Sequence, residues 1–172
     1  VADGLMPISD MGMKWWFSKY LKYFMLDRVP DFDLIGNPAI GIGCQTLYDN
    51  DNGVLYFSKR DYKIKPEFEG GVSYLGDGII SIRGFNLNIK TNVRDSRYFD
   101  DVSWTISFDT KTKSWLSFHD WHPDYVMASS RGFLTHKYND TDSALWKHGN
   151  FTTDFCKFYG VSYPWEIDYV SS

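Results

Sequence analysis

Apolar residues recur along this chain in two rhythms. Over residues 9–27, Trp16, Phe17, Tyr20, Leu21 and Phe24 return at steps of three and four, the period of a single helix face. Ser9 or Asp10 can cap such a helix and Pro30 stops it, so the pattern predicts one helix whose aromatic stripe packs on a sheet rather than around a cofactor. From Gly41 onward the period drops to two, in short stretches bounded by Gly, Asn, Asp and Pro, as in antiparallel strands joined by tight turns. The clearest of these is Val102-Ser103-Trp104-Thr105-Ile106-Ser107-Phe108, with apolar residues on one side and small polar ones on the other. The expected fold is therefore mainly β. Residues 1–40 form an N-terminal helical and linker segment, and residues 41–172 form antiparallel sheets arranged as a sandwich or as part of a β-propeller.

Two hairpins stand out. Thr46-Leu47-Tyr48 enters Asp49-Asn50-Asp51-Asn52-Gly53 and leaves through Val54-Leu55-Tyr56-Phe57. The 102–108 strand enters Asp109-Thr110-Lys111-Thr112-Lys113 and leaves through Ser114-Trp115-Leu116-Ser117-Phe118. In each, Asp49 or Asp109 can start a turn by accepting bonds from its own backbone, and the residue four beyond takes a left-handed position. Gly53 suits that position and Lys113 accepts it at a cost. Asp-Tyr follows both hairpins, at Asp61-Tyr62 and Asp124-Tyr125, and further strands are expected around 79–83, 87–90, 133–137 and 144–147. The result is a weak repeat of about sixty residues, too few units to close a propeller, which needs about four blades.

A length of 172 residues fits one domain with a proper core, and 19% aromatic residues argue against disorder. The net charge of −4 is spread along the chain, so no basic footprint for nucleic acid or an anionic membrane is present. No apolar run approaches the roughly 20 residues that cross a bilayer. Cys44 and Cys156 lack CxxC spacing; two separate thiols are the favoured reading, and a single long-range bridge stays open. The start at Val1 and the alternation of 166–172, like an unfinished strand, lead to the expectation of a segment of a larger protein.

Candidate chemistry is sparse. In His119-Asp120-Trp121-His122-Pro123-Asp124, His119 and His122 could share a metal with a carboxylate. Pro123 and the preceding strand instead favour a turn in which His and Trp are packed or hydrogen-bonded. Trp121, Tyr125, Trp146 and Trp165 lie near turns and could stack on a sugar; filling the space between sheets is the competing role. There is no GxSxG elbow, and Gly70-Gly71 and Gly76-x-Gly78 are turn glycines outside any strand-to-helix phosphate loop. The expectation is a non-catalytic protein without a cofactor.

The stretch from Tyr98-Phe99-Asp100-Asp101 through the second hairpin to His119-Asp120-Trp121-His122-Pro123 resembles a recurring segment of virion structural proteins of crAss-like bacteriophages. So do Gly41-Ile42-Gly43-Cys44-Gln45-Thr46-Leu47-Tyr48-Asp49-Asn50, Tyr56-Phe57-Ser58-Lys59-Arg60-Asp61-Tyr62 and Ser143-Ala144-Leu145-Trp146-Lys147-His148. The resemblance spans most of the chain, and its motifs are packing and turn motifs. It implies a tail or muzzle (stabilisation) component of the phage particle, made in the bacterial cytoplasm and assembled with other virion subunits in a homo-oligomeric ring. It implies no catalysis. The alternative is a carbohydrate-binding or glycosidase-like propeller segment that recognises a bacterial surface glycan.

Overall fold

The computed structural model describes residues 7–84, 88–137, 144–148 and 157–163. The fold is mainly β, built from antiparallel sheets with few helices and, among the described residues, no closed barrel. Strands β1 (Gly43–Asp49), β2 (Val54–Arg60), β8 (Trp104–Asp109) and β9 (Ser114–His119) form a four-stranded sheet in that order. Between β2 and β8 the chain makes a long excursion. It comprises β3 (Tyr62–Ile64), a three-stranded sheet of β4 (Val72–Gly76), β5 (Ile79–Arg83) and β6 (Asn88–Thr91), and β7 (Phe99–Asp101), which pairs back on β3. After β9 come a second three-stranded sheet, β10 (Tyr125–Ala128), β11 (Phe133–His136) and β12 (Leu145–His148), and a small hairpin, β13 (Lys157–Phe158) with β14 (Val161–Ser162). Both hairpins seen in the sequence thus lie side by side in one sheet, joined where Phe57 faces Ile106.

The excursion begins and ends on a single ladder. Lys59 opposes Trp104; three residues later Tyr62 opposes Asp101, three residues earlier, so β2–β8 and β3–β7 keep one register. The ladder is interrupted at 60–61 and 102–103, where the Ser103 hydroxyl accepts from the Asp61 N–H at 3.2 Å and Val102 N–H bonds the Asp61 carbonyl at 3.1 Å.

The helix over 9–27 is corrected. The α-helix, α1, covers only Lys14–Tyr20, flanked by 3-10 turns at Ile8–Asp10 and Met25–Asp27, and Ser9 and Asp10 do not cap it. Gly12, at φ +86°, breaks the chain before the helix. At the other end two buried side chains take over the backbone. Lys59 donates to the carbonyls of Tyr20 (3.0 Å) and Lys22, while Asp61 accepts from the N–H groups of Phe24 (2.7 Å) and Met25 (3.3 Å). Seven residues are too few for an isolated helix, so α1 is held by what it touches. Trp16 packs on Trp104 and Phe118, Phe17 packs on Trp104 and Trp115, and Tyr20 lies against Trp16, so the helix covers part of one face of the four-stranded sheet.

Two cores result. One gathers Met25, Val29 and Phe32 with Ile42, Tyr62, Ile64, Ile80, Ile82, Val93, Tyr98 and Phe99. The other sits on the opposite face of the four-stranded sheet and gathers Leu47, Trp121 and Phe133, with Tyr56, Val126, Phe158, Tyr159 and Tyr163 packed against it.

Candidate functional site

Both turns form as local chemistry requires. Asp49 Oδ1 accepts from the N–H groups of Asp51 (3.1 Å) and Asn52 (3.4 Å), and Gly53 is left-handed at φ +74°. Asp109 Oδ1 accepts from Lys111 (2.7 Å) and Thr112 (3.1 Å), and Lys113 is left-handed at φ +55°. The N–H bonds from Thr112 and Lys111 lower the Asp109 pKa.

The second hairpin carries an open apolar surface. β9 is an edge strand, with no partner on its outer side among the described residues. Its pairing slips at Leu116: Ser107 faces Ser117 while Phe108 faces Trp115, so a bulge re-aims the strand. Leu116 and Phe118 are 52% and 59% exposed, and Trp15 on α1 is 71% exposed. Met13, Trp115, Leu116 and Phe118 border a depression of about 140 Å³. No residue of α1 is fully buried. The aromatic layer between helix and sheet is therefore half wet.

The sheet's other face is dry and carries hydroxyls. Ser58 Oγ and Thr105 Oγ1 lie 3.0 Å apart, and Thr105 reaches His122 Nδ1 at 3.2 Å. Ser107 Oγ is 2.9 Å from His119 Nε2. Tyr159 donates to Thr135 at 2.9 Å, and Thr135 lies 2.7 Å from His148 Nε2. With Thr135 donating onward, Nε2 accepts, a role open only to the neutral ring. Burial pushes His119 and His148 down to about 4, and burial also lowers His122, against the opposing pull of Asp101.

This placement answers the sequence candidates one by one. His119 and His122 each spend a ring nitrogen on a hydroxyl, and the described residues contain no cluster of three or more His, Cys, Asp or Glu able to hold a metal. Trp121 is corrected as a sugar platform: it is 2% exposed, with Phe158 stacked on it at 4.6 Å and 11°. Trp146 is half-buried, its ring edge-on to Tyr159. Tyr125 stays exposed on the β10–β12 sheet, where it and Leu145 both pair with His136 from opposite sides. Trp165 and Cys156 lie outside the described residues. Cys44 is a free thiol on an exposed residue, and partial burial of its sulfur raises its pKa.

A second locus was not foreseen. Alternation along β2 and β3 sends Lys59 and Asp61 to the α1 side of the ladder and Arg60 and Tyr62 to the other. Lys59 and Asp61 are both 0% exposed and paired at 2.7 Å. Arg60 bonds the Tyr62 hydroxyl at 2.8 Å and lies 3.3 Å from both Asp101 and Asp124. Arg94 reaches Asp124 at 3.1 Å and the carbonyls of Pro38 and Ala39. Arg60, Tyr62, Arg94 and Asp101 edge an open cleft of about 880 Å³ between the β3–β7 ribbon, the 34–40 loop, the β4–β5 turn and the 92–96 loop. Three consecutive charges, Lys59-Arg60-Asp61, ending an otherwise apolar strand were the available signal.

No protein-family model, curated protein or solved structure matches the chain. No helix among the described residues is long and apolar enough to cross a membrane.

Proposed function

We propose that the chain is a non-catalytic structural segment of a bacteriophage particle, a tail or muzzle component that works by packing against other subunits. The lineage rests on the motifs that resemble crAss-like virion proteins. One structural observation supports the mode of action: the half-wet aromatic layer of α1 and β9, where Trp15, Leu116 and Phe118 stand exposed around an edge strand. Exposed apolar residues gathered on one face mark interaction surfaces, and a second surface laid there would finish the burial that α1 begins. Homo-oligomeric assembly in a ring follows from the same reading.

Light scattering after size exclusion tests it. The chain is expected to associate as concentration rises, and Leu116→Asp with Phe118→Asp is expected to return it to monomer with an unchanged circular dichroism spectrum. A wild-type chain that stays monomeric at high concentration would remove the support. Mass spectrometry of purified particles that encode the chain tests the virion assignment directly.

A further inference from the structure

The ion-lined cleft lies away from the α1–β9 surface, and subunit packing there makes no use of it. Its character narrows what it can hold. Arg60 and Arg94 lie on its walls together with Asp77, Asp95 and Asp101, and Asp95 is already paired with Arg97, so the two signs nearly balance and an anionic ligand gains little there. A bare cation meets two arginines. A wholly apolar ligand would strand those charges without water. What remains is a neutral molecule with many hydroxyls, each able to donate to a carboxylate and accept from a guanidinium.

The polar groups are in a state to exchange partners. Arg60, with a side chain 8% exposed, has contacts of 3.3 Å to both Asp101 and Asp124, and its buried Nε makes no hydrogen bond. Charge-assisted bonds close at about 2.7–2.9 Å. The Arg60–Asp101 contact is therefore slack, and the Asp101 side chain is half exposed. On the rim, Ile40 and Ile79 are exposed and offer apolar surface for the C–H face of a ring. The volume falls in the range of small-ligand sites, about 300–1,000 Å³.

We propose that this cleft binds a neutral oligosaccharide, with Asp101 accepting from its hydroxyls and Arg60 donating to them. This site is separate from the aromatic candidates Trp121, Tyr125 and Trp146. A hydroxyl replaces the slack Arg60–Asp101 contact and satisfies both groups at shorter range. Binding through exposed polar groups without an aromatic platform is weak, so the expected contribution comes from many copies acting together.

Saturation-transfer NMR on the full chain tests the proposal, with neutral trisaccharides of the gluco, galacto, manno and N-acetylglucosamine series and a trimeric uronic acid. At least one neutral series is expected to bind saturably, and the uronic acid is expected not to. Asp101→Ala is expected to weaken binding tenfold or more. Because Asp101 also accepts from the Ser103 N–H, a second variant guards against misfolding: Ser96→Trp, at an exposed rim position, is expected to fill the cleft and abolish binding with near-UV dichroism retained. Binding of no neutral series, binding of the uronic acid alone, or binding indifferent to both variants overturns the proposal. The oligomeric state of the wild type, read on the same samples, reports separately on the α1–β9 reading.

Discussion

The two faces of the four-stranded sheet are closed by different means. Against α1 the layer is aromatic and geometrically loose: Trp16, Phe17, Trp104, Trp115 and Phe118 meet at centroid distances of 4.8–6.2 Å, yet Phe118 remains mostly exposed. Against β10–β12 the layer is mixed and dry, with Thr105, Ser107 and Thr135 buried and matched to imidazoles. Both faces come from one alternating strand, β8, so alternation alone does not decide which face is wet. A greasy face without a complete cover stays open, whereas a polar face whose every hydroxyl finds a partner can be sealed. The dry face carries stability, and the open face stays half wet.

Acid separates the two faces most sharply. Neutral imidazole is favoured in the fold, since His119 and His148 sit near 4 instead of 6.5. Their contribution is complete above pH 6.5 and is lost as pH falls from 6.5 toward about 4, because the unfolded chain takes up the protons first. A tenfold change in proton affinity between folded and unfolded chain corresponds to about 1.4 kcal/mol. After allowance for partial hydration, about 2–3 kcal/mol per ring is expected, or about 4–6 kcal/mol for the pair. Urea midpoints measured at half-unit steps across this window check it. Depressed carboxylates such as Asp109 lose their contribution only at lower pH, below their usual range, so the window isolates the histidines. His119→Gln with His148→Gln is expected to reduce the slope to the part that His122 contributes; a wild-type profile already flat from 6.5 to 4 would contradict the dry hydroxyl–imidazole layer.

Truncating one tryptophan on each face gives the next contrast. Trp121→Ala removes a fully buried ring stacked on Phe158 and is expected to cost about 3–5 kcal/mol. Trp16→Ala removes a half-buried ring and is expected to cost roughly 1–2 kcal/mol. Chemical denaturation of the two variants checks the order, and equal losses would mean that the α1 layer is as well sealed as the other.

How much of this was legible in the sequence depends on how far apart the cause and its effect lie along the chain. The hairpins were readable because Asp49 with Gly53 and Asp109 with Lys113 settle their turns within five residues. Strand β5 was expected at 79–83 and is found at Ile79–Arg83 for the same reason. The long helix failed because its end is set by Lys59 and Asp61, nearly forty residues on, whose side chains take the carbonyl of Tyr20 and the N–H of Phe24. The burial of Thr105 and Ser107 was hidden too: a period of two says that a strand has two faces, and only the later arrival of His119, His122 and β11 says that both are covered. The cleft was invisible because it is assembled from five separated stretches between Leu34 and Asp101.

The smallest expected effect compares the two turns that join an outer strand of the sheet to its inner neighbour, β1 to β2 and β8 to β9. Gly53 and Lys113 share the left-handed conformation, at φ +74° and +55°, but a side chain costs about 1 kcal/mol there relative to glycine. Among the described residues, no hydrogen bond or ion pair of the Lys113 side chain offsets this. Lys113→Gly is therefore expected to stabilise the chain by no more than about 0.5 kcal/mol, after the larger freedom of glycine in the unfolded chain is deducted. Gly53→Ala runs the other way: beyond the strained φ, its Cβ would come within 2.9 Å of the Lys111 side chain, which must swing aside. A loss of about 1 kcal/mol is expected. Thermal melts of both variants read the difference. If Lys113→Gly leaves the midpoint unmoved, the β8–β9 turn is already relaxed by motion of its edge strand, and the open face extends into the backbone itself.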